Sequence, residues 1–380
     1  MRLEEFKNQI YSCLRCGFCF DHHVGGGKMI CPSYVTYGYE SYGARGKMAL
    51  ARALIDGVIK YDSDIAERVF SCTECGACQE ECFKYLSLSQ IYAAMKEDLA
   101  EQDLIPAGRR ELLEPLESEG NVYGNPPEKR MAWAPGTERV GRSAEVALYI
   151  GCTPAYLRRG IARSAYNLLE ASGIDFALLD DEVCCGHPQI SMGRSDLAKQ
   201  QLRRNLNAIE RTGAETVLFA CPGCLTTFRN DLPELLGQQP AFETQHLSEY
   251  LTTSTAFRKV RLQKQSRIAT YHDPCTLGRG LGVFDAPRGL IEAVPSSRLA
   301  EMPRTRERSF CCGNGGFVRF DHEEMSIENE TSRLSEAVST GADVVLSACP
   351  ACQIGLLDAK RREKSPIEVL DILEWIASSL

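Results

Sequence analysis

From residue 146 onward the apolar positions alternate between two patterns. Short continuous runs, Val146–Ile150, "IDFALLD" (174–180), "TVLFA" (216–220) and Ile268–Tyr271, are rich in β-branched and aromatic residues and bounded by Gly or Pro. Such runs predict buried strands of a parallel sheet. Between them lie segments with a helical period, among them "RGIARSAYNLLEASG" (159–173) and "SDLAKQQLRRNLNAIERTG" (195–213). For the second, Ser195 is the expected N-cap and Gly213 the C-terminal stop. Strands alternating with helices predict an α/β fold with a parallel sheet.

The pattern runs twice. "TGAETVLFACPGC" (212–224) matches "TGADVVLSACPAC" (340–352) at most positions. "EVALYIGCTPAY" and "RIATYHDPCTLG" open the two copies, and "HLSEYL" and "VLDILEWI" close them. This is an internal repeat. It predicts two α/β halves related by a pseudo-twofold, at 145–260 and 261–380. Residues 1–100 read as a mainly helical domain, with "GARGKMALARALIDG" (43–57) a strong helix. Residues 101–144 show little periodicity and read as a linker packed across the surface.

Length and composition then narrow the function. A chain of 380 residues has room for two or three domains. Hydrophobic and charged fractions of 44% and 25% are ordinary for a globular protein. A net charge of −8 argues against a nucleic-acid partner. The N-terminus lacks the apolar core of a signal peptide, and no apolar run approaches the ~18 residues that cross a bilayer. The expected location is cytoplasmic, with a peripheral seat at the inner membrane face, through a partner protein, as the variant of that reading. Structural disulfides are rare there. The 18 cysteines therefore read as metal ligands or redox thiols.

Those cysteines sort into four groups. Cys13, Cys16 and Cys19 with Cys31, and Cys72, Cys75 and Cys78 with Cys82, each form C-x-x-C-x-x-C followed by a remote cysteine. This is the spacing of a two-[4Fe–4S] bacterial ferredoxin, in which the remote cysteine crosses to the other cluster. The expected sets are Cys13, Cys16, Cys19 with Cys82, and Cys72, Cys75, Cys78 with Cys31. Zinc is the competing reading, but zinc sites usually pair two separated C-x-x-C motifs. His22 and His23, in the long gap before Cys31, read as a solvated loop, and Gly25, Gly26 and Gly27 as turn residues. The other ten cysteines follow the repeat: Cys152, Cys184, Cys185, Cys221 and Cys224, then Cys275, Cys311, Cys312, Cys349 and Cys352. Each copy reads C, then CCG, then C-P-x-C. Taken singly, C-P-x-C suggests a thioredoxin-type redox pair; a CC pair in register twice argues against it. Cysteines at the C-terminal ends of parallel strands converge on the edge where such sheets bind ligands. The glycine after each pair is expected to let the backbone turn close to metal.

This duplicated pattern resembles the cysteine-rich CCG domain of the heterodisulfide reductase catalytic subunit. With the two-cubane region fused in front, the chain resembles the fused, D-type form of that family. The resemblance implies a noncubane [4Fe–4S] cluster on each five-cysteine set, and a reaction in which a disulfide lodged between the two clusters is split. It also implies a flavoprotein or other redox subunit as electron donor or acceptor, and a membrane quinone-reactive subunit as a further partner. The same module occurs in iron–sulfur proteins of glycolate, lactate and glycerol-3-phosphate dehydrogenases and of class II benzoyl-CoA reductase complexes, so a pure electron relay is the alternative. "CPSYVTYGYESYGARGKMAL" (31–50) is reminiscent of the glycolate-type proteins. Thr276 stands where histidine is common in the family, and Phe317 where glycine is frequent. His187 in "CCGHPQ" and His272 in "HDPC" are the candidate proton donors for disulfide cleavage, with hydrogen bonding to the cluster sulfurs as the competing role.

Overall fold

The computed structural model describes residues 1–19 and 29–380; His22, His23 and Gly25–Gly27 lie outside the described residues. Strands β1 (Val146–Tyr149), β2 (Phe176–Leu178), β3 (Thr216–Phe219) and β4 (Glu243–His246) form a parallel sheet in the order β2-β1-β3-β4. Strands β5 (Ile268–His272), β6 (Arg298–Leu299), β7 (Val344–Ser347) and β8 (Glu368–Asp371) form a second in the matching order β6-β5-β7-β8. The duplication expected from the repeat is therefore present at the level of topology.

The halves are joined by an exchange of helices. The helix after β8, Ile372–Ala377, packs on Arg159–Ala171 of the first half. The helix after β4, Leu247–Thr253, packs reciprocally on Asp285–Ala293 of the second. One hydrophobic core consequently spans both sheets, with Leu148, Leu218, Tyr271, Leu346 and Trp375 all fully buried. Side chains of this size contribute about 1.5–3 kcal/mol each on burial, so neither half is built to stand alone.

The N-terminal region has its own core. Helices Ala44–Ile55, Ser63–Phe70 and Leu88–Glu101 bury Met48, Val69, Phe70, Ile91, Met95 and Leu99. Asp62 caps the second of these helices by accepting from Ile65 N at 2.8 Å. Among the described residues no helix is long and apolar enough to cross a membrane.

Three expectations need correction. Helix Ser195–Thr212 ends at Gly213, in left-handed conformation as anticipated, but its N-cap is Arg194. The Ser195 hydroxyl instead donates to Glu97 Oε1 at 2.6 Å, tying the helix to the N-terminal region. The edge strands β4 and β8 were not foreseen. Segment 101–144 is more than a linker: most of it is exposed or half-buried, but Leu116, Trp133 and Arg109 are buried. Arg109 pins three parts of the chain together, donating to Asp321 Oδ2 (2.6 Å), Phe70 O (2.5 Å) and Gly316 O.

Candidate functional site

Strand ends deliver the cysteines. Cys152 and Cys275 follow β1 and β5, and Cys221 and Cys349 follow β3 and β7. Cys221 and Cys349 are N-caps of helices that open with Pro222 and Pro350. Proline fits that first position because its missing N–H would have no helical partner there. Cys224 and Cys352 then sit one turn below, beside their partners.

The glycines of the two CCG motifs have left-handed backbones, with φ of 98° at Gly186 and 87° at Gly313. A Cβ on Gly313 would stand 2.6 Å from Ser326 O, and one on Gly186 3.0 Å from the Ala198 Cβ. These glycines admit the close approach of helices Ser195–Thr212 and Glu323–Ser339. The glycine that makes room at sulfur is Gly151, where a Cβ would lie 3.0 Å from Cys224 Sγ.

In each half the five thiols form a chain of interacting neighbours in the same order. In the first it runs Cys152, Cys184, Cys185, Cys224, Cys221. In the second it runs Cys275, Cys311, Cys312, Cys352, Cys349, with Cys312 and Cys352 sulfurs 3.2 Å apart. The middle thiol is the one held furthest down in both, with Cys152, Cys221 and Cys275 also lowered. Hydrogen bonds from Cys184 and Cys224 hold Cys185 well below the usual thiol range, and those from Cys311 and Cys352 do the same for Cys312. The ends of the two chains approach each other: Cys221 of the first half raises the Cys349 thiol, behind the effects of its own neighbour Cys352 and of burial. Arg158 of the first half donates to Gln353 Oε1 of the second at 2.8 Å across the same junction.

Charge is balanced differently around the two sets. Beside Cys152, Arg130 Nη1 lies 3.8 Å from the sulfur and pairs with buried Glu182. Glu182 in turn accepts from Ile150 N (3.0 Å) and Gly151 N (2.7 Å), fixing the turn that presents Cys152. Beside Cys275 the cation is Arg279, which donates to Cys75 O at 2.6 Å and Ser309 O at 2.7 Å. Cys75 itself belongs to the N-terminal region, and its thiol is held down to about 5, first by hydrogen bonding to Cys311. The N-terminal cysteine loop therefore docks on the second half. Its seat is the glycine pair after Cys312: a Cβ on Gly315 would meet Thr73 O at 2.2 Å, and one on Gly316 would meet Cys72 O at 2.4 Å. Next to them Phe317 occupies the left-handed region at φ 59°, a conformation that explains why glycine suits this position. Its ring stacks on Phe320, 6.3 Å between centroids.

The ferredoxin-spaced thiols gather in two groups. Burial, then Cys13, Cys16 and Cys82, push the Cys19 thiol up to about 12. Burial, then Cys72, Cys75 and Cys31, push Cys78 well above the usual range. Between the N-terminal region and the two sheets lies a cavity of about 440 Å³, walled by Cys31, Cys72, Cys75, Cys78, Cys275 and His187. Lys47 also faces it and is 1% exposed. Its ammonium donates to Ser33 Oγ (3.4 Å), Ser71 Oγ (3.2 Å) and Tyr42 O, and no carboxylate is among these partners. A buried cation whose nearest anionic groups are thiols fits an anionic thiolate-bound cluster, and does not fit an empty apolar pocket.

His187 lies beside the C-P-G-C loop, where a Cβ on Gly223 would be 3.4 Å from its ring. Its Nδ1 is buried without a hydrogen-bond partner among the described residues. His272 is 1% exposed and lies away from the cavity. Lys47, Arg130, Glu182, Arg279 and Arg333 were missed from the sequence. Arg130 bonds Glu182 from 52 positions away and Arg279 bonds Cys75 O from 204, so no local pattern marks such pairs.

Comparison with known proteins agrees with this geometry. Residues 146–229 and 269–356 match the "Cysteine-rich domain" family CCG, and residues 9–86 match the "4Fe-4S dicluster domain" family. The chain is 32% identical to the D subunit of dihydromethanophenazine:CoB–CoM heterodisulfide reductase from Methanosarcina barkeri, over 98% of this chain and 94% of that one. It is 26% identical to the EtfAB:quinone oxidoreductase of Syntrophomonas wolfei, over 83% of this chain and 47% of that one. A hypothetical protein from Helicobacter pylori shares the fold, with a TM-score of 0.58 at 12% identity, over 89% of this chain and 67% of that one.

Proposed function

The chain belongs to the family of the heterodisulfide reductase D subunit, and we propose that its four cysteine groups hold two [4Fe–4S] cubanes and two noncubane clusters that together reduce a disulfide. It is an iron–sulfur electron-transfer subunit of the heterodisulfide reductase type, and its relatives are parts of redox complexes. Cys13, Cys16, Cys19 and Cys82 would hold one cubane, and Cys72, Cys75, Cys78 and Cys31 the other. The two five-thiol chains would hold the noncubane clusters. When bound, these groups supply one-electron transfer and, at the CCG sets, an iron site open to sulfur.

The chain's own residues supply the arrangement. The observation that carries the reading is the identical order of thiol contacts in both halves, with the chain ends at Cys221 and Cys349 turned toward each other. A disulfide between the two sets would present one sulfur to each. Arg279 and the Gly315–Gly316 seat hold the Cys72–Cys78 loop against the second half. Cys16 is exposed, and Leu14, Phe83 and Tyr85 are exposed near it in the chain or beside Cys82. A partner redox protein would dock on this face. His187, which lines the cavity wall, would deliver a proton.

One observation favours a relay without substrate. Cys184, Cys185, Cys311 and Cys312 are each at most 4% exposed, and the cavity opens beside Cys275 rather than over the CC pairs. Anaerobic purification with iron analysis and EPR separates the readings. Roughly sixteen irons per chain are expected if four sites each hold about four. A change in the CCG-centre EPR signal on adding candidate disulfides supports the reductase; an unchanged signal with full iron leaves the relay.

A further inference from the structure

The second half contains a buried polar pair with no counterpart in the first. His272 ends β5, and Arg333 lies in helix Glu323–Ser339 with no exposed surface. Arg333 Nε donates to His272 Nδ1 at 2.8 Å. Most of the rest of its guanidinium is committed. Nη1 donates to Glu336 Oε2 (2.6 Å) and Arg304 O (2.9 Å), and Nη2 donates to Ser309 Oγ (3.2 Å). A guanidinium offers only N–H donors and keeps its charge. The imidazole nitrogen that receives its N–H must present a lone pair, so the hydrogen of the neutral ring sits on Nε2. That Nε2 is buried and has no nitrogen or oxygen partner among the described residues. A ring nitrogen of His272 and the sulfurs of Cys312 and Cys352 lie within 4.8 Å of one another.

We propose that Arg333 fixes His272 as an Nε2–H donor to sulfur at Cys312 and Cys352, and that this contact raises the reduction potential of the second-half centre. The inference rests on the reading of Cys312 and Cys352 as cluster ligands. A hydrogen bond to cluster sulfur stabilises the added negative charge of the reduced state. The first half lacks the device. By register Tyr149 takes the place of His272, since Tyr149 pairs with Phe219 and His272 with Ser347, each two residues before the C-P-x-C motif. The Tyr149 hydroxyl donates to Val183 O at 2.6 Å, and Asn205, on the corresponding helix, bonds Val183 N and Cys184 O at 3.0 Å each. These polar groups end on backbone in the first half, whereas His272 in the second is turned to sulfur.

The arrangement also replaces the proton-donor role expected of His272. Giving up the Nε2 hydrogen would leave an imidazolate. Taking a second proton at Nδ1 would set it against the Arg333 N–H. The same Nε2 hydrogen bars the ring from ligating iron.

The test uses the whole iron-loaded chain. Pulsed EPR of wild type should show a weakly coupled nitrogen and an exchangeable proton at one CCG centre, both lost in His272→Leu. Redox titration of His272→Leu should shift that centre to lower potential and leave the N-terminal centres unmoved. His272→Gln, which retains an N–H, should recover part of the shift, and Arg333→Gln should lower the potential in the same direction. An unchanged potential in fully loaded His272→Leu overturns the proposal. So does a nitrogen coupling of the size of a direct ligand, or the absence of the coupled proton in wild type, which decides the matter even if the variants do not fold. An iron content near eight per chain would instead defeat the cluster assignment itself, since two cubanes hold about eight.

Discussion

The two halves share a scaffold and differ in what surrounds it. Strand order, the position of each cysteine and the sequence of thiol contacts coincide. At the first set, Arg130 and Glu182 close off the Cys152 end. The second reaches outward, because Cys311 touches Cys75 and Arg279 donates to Cys75 O. Duplication thus preserved the parts that hold a group, and divergence worked on the parts that connect it. The N-terminal cysteine loop meets the second half through these contacts and the Gly315–Gly316 seat, so the halves are predicted to respond unequally to the same kind of change.

The largest expected effect comes from the contact that makes them unequal. Cys75→Ser should remove one N-terminal centre and disturb the EPR signal of the second-half CCG centre, while the first-half centre keeps its signal. Cys16→Ser, at the exposed end, should remove the other N-terminal centre and leave both CCG signals as they are. Equal disturbance of both CCG centres by Cys75→Ser would break the comparison.

Next in size are the buried ion pairs. Arg130–Glu182 in the first half and Arg288–Asp273 in the second have side chains 7% and 2% exposed in both cases. Removing one partner of such a pair costs about 3–5 kcal/mol, because the other charge stays buried. Arg130→Met and Arg288→Met should both destabilise by that order in denaturant unfolding. Only Arg130→Met should also lower the potential of a CCG centre, since of the two only Arg130 lies against a ligand sulfur. A smaller loss is expected for Gly315→Ala. Its Cβ would meet a backbone carbonyl of the docked loop, and overpacking of this kind costs about 1–3 kcal/mol. Gly341→Ala, with open space around it, should cost only the left-handed backbone term, about 1–2 kcal/mol. Gly315→Ala should in addition slow electron exchange between the N-terminal and CCG centres, which Gly341→Ala should not.

Much of this was legible in the chain because it is local. The CCG and C-P-x-C motifs follow apolar runs, and period alone separates strands from helices. Strands β4 ("ETQH") and β8 ("EVLD") were missed since each is short and half polar, as edge strands are. Segment 101–144 gave no period, yet Arg109 bonds Asp321 from 212 positions away. Arg333 and His272 are 61 apart, and Arg130 and Glu182 52 apart. No spacing rule links such residues; only the folded chain brings them together. The cysteine groups announced themselves through repetition, whereas the groups that tune them occur once each.

The last effect predicted is the one in which the halves should differ in sign. His246 and Asp371 hold the same place, each ending the edge strand of its sheet and capping the next helix with a capping box. Burial holds His246 down at about 3, and burial raises Asp371 well above the usual carboxylate range. Below about pH 6.5 the unfolded chain protonates His246 and the native one does not, so stability falls as pH drops, by about 1.4 kcal/mol per unit. For Asp371 the native form keeps a proton that the unfolded chain loses above about pH 3.9. Its contribution therefore weakens as pH rises toward the folded value, with a similar limiting slope. Asparagine retains a capping acceptor at both sites. Unfolding of the iron-loaded protein between pH 5.5 and 8 should show His246→Asn gaining on wild type toward low pH, and Asp371→Asn gaining toward high pH. If both differences ran the same way, the two caps would not be buried in opposite charge states, and this part of the asymmetry would fall.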